Sequence, residues 1–153
     1  MDNNEFYTFY EYMRKGENSL TASMEDYLEM IYRLSINIGF TRVHDLSHAL
    51  NVQPPSVTKM IQKLAELKLL KYEKYGVIML EDEGKQIAKR LINRHNTIEK
   101  FLKLLGTPEG KILEETEKVE HAISSETVKC FQNYINFMKD NPDIYVKFKN
   151  YIE

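Results

Sequence analysis

The 153-residue chain carries 21 Lys and Arg against 23 Asp and Glu, a net charge of −2, with one Cys, no Trp, six Gly and four Pro. A single Cys excludes an internal disulfide framework and a cysteine-based zinc site, and the scarcity of Gly and Pro favours long helices over a many-stranded sandwich. No apolar run approaches the roughly 20 residues that cross a bilayer, and the first residues carry acids where a secretory signal needs positive charge, so a cytoplasmic protein is expected.

The charge is unevenly placed. Residues 1–40 hold 3 basic and 7 acidic side chains (−4), residues 41–95 hold 10 and 6 (+4), and residues 96–153 hold 8 and 10 (−2). A basic middle between acidic ends keeps nucleic acid among the candidate partners despite the negative total.

Residues 1–20 form an aromatic-rich extension (Phe6, Tyr7, Phe9, Tyr10, Tyr12), either a short docking helix or a loosely held arm. Thr21 or Ser23 is a suitable N-cap before Glu25 and Asp26, acids that suit a helix N-terminus. Met24, Tyr27, Leu28, Ile31 and Leu34 then mark one helical face that ends near Gly39. Residues 42–50 predict a short helix with Val43, Leu46 and Leu50 on one side. The sequence NVQPP (51–55) breaks it, and Pro54 starts the next helix because proline is tolerated only in a first turn. Val57, Met60, Ile61, Leu64 and Leu67 form the apolar stripe of that helix.

Two short strands, Tyr72–Tyr75 and Val77–Leu80, are predicted around Gly76. Helical spacing resumes at Glu83 and runs to Gly106, followed by helices over about 108–122 and 124–139 and a last short one after NPD (141–143). Cys130 is expected to be a buried small apolar residue. Helix, helix, turn, helix, hairpin, long helix is the order of a winged helix-turn-helix.

In such a motif the N-terminal residues of the second helix approach the base edges. Pro54 opens that helix here, and Ser56, Thr58, Lys59, Gln62 and Lys63 supply hydroxyls and amines for phosphate and an amide able to pair with adenine. In the hairpin, Lys71, Lys74 and Tyr75 are placed to reach the flanking backbone. A solvated helix face with ordinary lysines explains the same residues equally well. Glu81, Asp82 and Glu83 would be repelled by phosphate and are expected to open the next helix instead.

A second group of polar residues stands where a plain core would be apolar. In the long helix the stripe runs Ile87, Leu91, His95, Ile98, Leu102, Leu105, so His95 falls in a core-facing slot. Glu117, Glu120 and His121 stand at i, i+3 and i+4, offsets that share a helix face. Asp26 and Glu29, also at i and i+3, lie away from the main stripe of the first helix. Taken singly, His95 reads as a neutral core histidine and the glutamates as a solvated acidic stripe. Together they are four carboxylates and two imidazoles with no thiolate, a set that suits Mn²⁺ or Fe²⁺ and also Zn²⁺ or Co²⁺. Six ligands suffice for two ions if one carboxylate bridges. His44 and His48 are also spaced i, i+4 but have no paired carboxylates nearby, so a surface or packing role is expected for them.

The segments SMEDYLEMIYRL (23–34), VQPPSVTKMIQKL (52–64), YEKY (72–75), GKQIAKRLINRH (84–95) and EKVEHAIS (117–124) resemble the manganese-sensing branch of the diphtheria toxin repressor family of metal-dependent repressors. The likeness covers about residues 21–124 in collinear order. It implies that Asp26, Glu29, His95, Glu117, Glu120 and His121 are the metal ligands. Iron-sensing relatives carry Met and Cys at the positions of Asp26 and Glu117, so the resemblance points to manganese. Gly76 and Val77 stand where an Arg-Gly wing tip is expected, the Glu81–Glu83 segment is more acidic than the family pattern, and the helices beyond about 125 match poorly. The chain is expected to lack the family's C-terminal SH3-like domain.

The expected protein is therefore mainly α-helical: an N-terminal extension (1–20), a winged helix-turn-helix DNA-binding domain (21–80), a linking helix (81–95) and an α-helical metal-binding and dimerisation domain (96–153). The expected function is a manganese-responsive repressor, a homodimer on double-stranded palindromic operator DNA that controls manganese uptake genes. Mn²⁺ acts as corepressor, two ions per subunit, with Fe²⁺, Co²⁺, Zn²⁺ or Cd²⁺ as substitutes. The alternatives are an iron-responsive repressor of the same family and a dinuclear metal-dependent hydrolase. The chain supplies no HExxH helix and no separate nucleophile or base for the latter.

Overall fold

A computed structural model describes residues 6–15 and 20–153, so parts of the 1–20 extension lie outside the described residues. The chain divides into two units, Leu20–Asn93 and Arg94–Glu153, the second including the N-terminal segment. The division falls within a single helix, between Asn93 and Arg94.

In the first unit, α2 (Ala22–Ser35) begins at Thr21, whose Oγ1 accepts a hydrogen bond from the Met24 N–H at 3.2 Å, and it buries Tyr27, Leu28 and Ile31 at helical spacing. β1 (Thr41–Arg42) leads into α3 (Val43–Leu50), which ends on Asn51 in the left-handed region, φ 53°. Asparagine tolerates that conformation better than most residues. α4 (Pro54–Glu66) starts with two prolines in its first turn, after an extended Gln53, and buries Val57, Ile61 and Leu64. These three, with Leu28, Ile31, Leu46 and Ile78, are fully inaccessible and form the centre of the core.

β2 (Leu70–Glu73) and β3 (Val77–Leu80) pair antiparallel, Leu70 opposite Leu80 and Tyr72 opposite Ile78. The hairpin is shifted from the expected Tyr72–Tyr75 because the tip, Lys74–Gly76, is a helical turn with positive φ at Tyr75 (69°) and Gly76 (74°). β1 adds a third strand on the other side of β3, giving the order β1-β3-β2. Two residues are too few to show an alternating pattern, so β1 has no periodic signature in the sequence. α5 (Asp82–Leu104) then runs without a break, opened by Asp82 and Glu83 in its first turn as expected of acids there.

In the second unit, α1 (Phe9–Lys15) precedes the winged unit in sequence, and the C-terminal part of α5 is followed by α6 (Glu109–Glu120), α7 (Ser125–Asp140) and α8 (Pro142–Ile152). Phe101 stacks on Phe131 with ring centroids 4.0 Å apart and meets Tyr134 edge-on at 5.6 Å, which fastens α5 to α7. The Thr97 hydroxyl donates to Gln132 Oε1 at 3.2 Å between the same helices. Cys130 is exposed, contrary to the expectation of burial. Val128 and Met138 face inward on α7, and a residue two places from Val128 lies about 200° around the helix.

Gly84 marks the tightest approach in the winged unit. A Cβ there would lie 2.1 Å from the Leu69 carbonyl oxygen, a backbone atom that cannot step aside. Gly84→Ala is therefore expected to destabilise the protein by about 2 kcal/mol or more in denaturant unfolding. Gly110→Ala, with open space around its added methyl, is expected to be neutral or slightly stabilising.

Candidate metal centre and nucleic-acid interface

The buried face of α6 is Ile112, Thr116 and Glu120, one residue per turn, so a carboxylate ends a stripe that begins with an aliphatic side chain. Thr116 returns its hydroxyl to the Ile112 carbonyl at 2.7 Å and needs no other partner. Glu120, only 2 % exposed, has no such local exit. Its Oε2 lies 3.0 Å from His95 Nδ1 on α5, and His95 is itself buried. The core-facing slot of the α5 stripe thus meets the core-facing acid of α6.

Three further groups surround this pair. Glu117 Oε1 is 3.6 Å from His95 Nδ1, and Glu99 Oε2 is 3.6 Å from His95 Nε2. Glu99 is fixed by Lys103 at 2.9 Å, and that hydrogen bond holds its carboxyl below the usual glutamate range. His121, at the C-cap of α6, places Nε2 3.7 Å from Glu120 Oε1, while Arg94 Nη2 approaches its Nδ1 at 3.4 Å. Glu99 and Arg94 escaped the sequence reading. Glu99 stands at i+4 from His95, a helical offset that would have flagged it.

The donor set fits a divalent cation. Glu117, Glu120 and His121 each offer one ligand atom, and these atoms lie within 4.8 Å of one another. Glu120 Oε1 is buried and has no hydrogen-bond partner among the described residues. Such an orphaned acceptor costs roughly 1–3 kcal/mol, more when charged, and a cation at this point would offset it. An imidazole held through one nitrogen by a carboxylate, as His95 is by Glu120, has the orientation control common to metal-site histidines. Asp26 and Glu29 lie on α2 of the other unit. Both are half-buried, and Glu29 accepts a hydrogen bond from Arg33 Nη2 at 3.1 Å.

On the winged unit, Pro54, Ser56, Lys59, Gln62 and Lys63 are all exposed along α4, opposite the buried Val57, Ile61 and Leu64. Thr58 is half-buried, and its hydroxyl donates to the Pro54 carbonyl at 3.2 Å, leaving its lone pairs as acceptors. Tyr75 at the wing tip is 91 % exposed. The Lys74 side chain lies outside the described residues. Lys71 pairs with Glu81 at 3.3 Å, which gives that acid a cation on the wing itself. His44 and His48 are exposed on α3.

Arg42, which the sequence reading passed over, donates from Nη1 to the Tyr75 carbonyl at 2.7 Å and sits over the Phe40 ring at 5.6 Å. It ties β1 to the wing tip. Among the described residues no helix is long and apolar enough to cross a membrane.

This combination, a helix-turn-helix with a three-stranded wing and a helical unit bearing a carboxylate–imidazole cluster, defines a metal-dependent winged-helix regulator. Family comparison agrees. Residues 19–78 match the model "Iron dependent repressor, N-terminal DNA binding domain", and residues 81–149 match "Iron dependent repressor, metal binding and dimerisation domain". The HTH-type transcriptional regulator MntR of Lysinibacillus sphaericus (strain C3-41) is 42 % identical over 129 residues, 84 % of this chain and 93 % of that protein. Among solved structures, the manganese regulator SloR aligns with a TM-score of 0.67 at 29 % identity, over 77 % of this chain and 55 % of the other. ScaR with bound Zn²⁺ aligns at 0.65 and 31 % identity, over 74 % and 54 %. The chain spans about half the length of these two structures.

The chain belongs to the diphtheria toxin repressor family of metal-dependent repressors, and its similarity to the curated MntR proteins is to the branch that the sequence motifs resemble. Its relatives are named transcriptional regulators, not enzymes.

Removing the Arg42 guanidinium is expected to free the wing tip. Arg42→Ala should cost about 1 kcal/mol, the worth of one such hydrogen bond, and raise amide exchange across 73–77 measured by NMR. Exchange in α2 should stay unchanged.

Proposed function

We propose that this chain is a manganese-responsive DNA-binding repressor of manganese uptake genes that acts in the cytoplasm as a homodimer. The observation that carries the reading is the buried Glu120, paired with His95 on one oxygen and orphaned on the other, beside Glu117 and His121. Four carboxylates and two imidazoles would hold the metal: His95, Glu117, Glu120 and His121 with Asp26 and Glu29 of α2. That number suits a pair of ions per subunit, provided one carboxylate bridges. The absence of a thiolate favours hard Mn²⁺, with Fe²⁺, Co²⁺, Zn²⁺ and Cd²⁺ as competitors that raw affinity would admit. The similarity to the manganese regulator SloR and to ScaR with bound Zn²⁺ or Cd²⁺ supports Mn²⁺, Zn²⁺ and Cd²⁺ among these ions.

A bound divalent ion supplies positive charge where these carboxylates gather. Each remaining step is made by the chain itself. Without metal, clustered carboxylates would repel one another and the winged unit could move relative to the helical unit. Asp26 and Glu29, holding a metal together with Glu117, Glu120 and His121, would tie α2 to α6 and narrow the ensemble to orientations that fit DNA. Such a shift would require that these residues hold a divalent ion more tightly in the competent state than in the others. Pro54, Ser56, Thr58, Lys59, Gln62, Lys63, Lys74 and Tyr75 then form the DNA surface, α4 in the major groove and the wing on the flanking backbone. A two-fold dimer presents two α4 helices, so the operator is palindromic with half-sites whole helical turns apart.

A duplex selected from a random-sequence pool in Mn²⁺ and then titrated with and without the ion tests the switch. Binding is expected to strengthen at least tenfold with Mn²⁺, and equal affinity in both conditions would sink the proposal. Lys59→Ala should weaken binding to the selected duplex by a similar factor across sequences and lower the salt dependence by about one charge. Glu117→Cys exchanges a hard ligand for a soft one and should shift relative affinity from Mn²⁺ toward Zn²⁺ or Co²⁺ by about tenfold or more, read by competitive metal titration.

A further inference from the structure

Arg94 immediately precedes His95 on α5 and is half-buried. Its Nη2 lies 3.4 Å from His121 Nδ1. A guanidinium has five donors, no acceptor, and a charge that survives at every pH at which proteins fold. It can approach a ring nitrogen only through that nitrogen's lone pair, the same lone pair that a metal ion would take. With Nδ1 accepting from Arg94, the hydrogen of a neutral imidazole sits on Nε2, the nitrogen 3.7 Å from Glu120 Oε1. A neutral His121 then has its one ring lone pair taken by Arg94, and its protonated Nε2 cannot ligate a metal. A fixed positive charge here also offsets the repulsion between the Glu117 and Glu120 carboxylates, whose ligand atoms lie within 4.8 Å of that of His121.

We infer that Arg94 is an internal competitor for the metal: a tethered cation that engages His121 in the metal-free protein and must withdraw before that imidazole binds a divalent ion. It thereby sets the concentration at which the site loads. The apparent dissociation constant is raised by the inverse of the fraction of molecules in which Arg94 has withdrawn. Arg94 is a positioning residue in this role, not a ligand. A plain brace, which merely orients His121 for metal, predicts the opposite sign, because its removal would weaken binding.

This inference rests on the metal-responsive reading above, and the test separates the two. Mn²⁺ affinity is measured on the full chain from the electron paramagnetic resonance signal of the free ion, alongside thermal melting with and without Mn²⁺. Arg94→Gln keeps a donor amide but removes the charge. It is expected to bind Mn²⁺ about tenfold more tightly, to melt lower than the parent without metal, and to gain more on adding Mn²⁺. Arg94→Lys keeps a cation but loses the planar fork, so it should tighten binding by a smaller factor, about two- to threefold. Arg94→Lys also carries the test if Arg94→Gln does not fold. Unchanged or weaker Mn²⁺ binding by the folded variants, with a normal parent, overturns the competitor role alone. A parent that binds no Mn²⁺ overturns both this role and the manganese-responsive reading.

Discussion

The buried carboxylate of Glu120 is the constraint from which the helical unit takes its chemistry. An ionised group out of water must be paired or coordinated, and leaving it unpaired costs several kcal/mol. α6 nevertheless ends its inward stripe with this residue, after Ile112 and Thr116. One oxygen meets His95 at 3.0 Å, and the other meets no donor among the described residues. A buried acceptor left in this way carries a desolvation cost that a cation beside it would offset. His95, Glu99, Glu117, His121 and Arg94 are organised around this one acid.

The winged unit solves a different problem, rigidity at a surface that must stay polar. Its core of Leu28, Ile31, Leu46, Val57, Ile61, Leu64 and Ile78 is fully closed, which fixes α4 and leaves Ser56, Lys59, Gln62 and Lys63 in solvent. Gly84 lets α5 start against the Leu69 carbonyl, and Arg42 holds the wing tip through the Tyr75 carbonyl. The acids at the start of α5 do not spoil the basic surface outright: Glu81 is matched by Lys71, and Asp82 and Glu83 serve the helix terminus. The net charge of −2 thus conceals a basic module that can meet phosphate, joined to acids with a separate task.

Much of this is legible in the amino-acid sequence. The stripes of α2, α4 and α5 have strong 3.6-residue periodicity, and Pro54 is an unambiguous start signal, so the helices were predicted close to where they stand. Spacing alone placed Glu117, Glu120 and His121 together and marked His95 as an odd residue in a core slot. The strand limits, β1 and the exposure of Cys130 were less legible. A two-residue strand has no pattern, and a hairpin register depends on the φ values at Tyr75 and Gly76. The burial of a lone cysteine depends on which face of α7 packs, and Val128 and Met138 decide that.

The sequence by itself determined the helices, the inventory of candidate ligand types and the family, because these depend on short-range periodicity and side-chain chemistry. Tertiary structure alone decided which charges meet. Residues 25 places apart, His95 and Glu120, become hydrogen-bonded neighbours, and residues 27 apart, Arg94 and His121, come into contact. The tie between Arg42 and Tyr75 spans 33 positions. Burial, and with it the energetic demand on each polar atom, is a property of packing between helices, and no local spacing rule contains it.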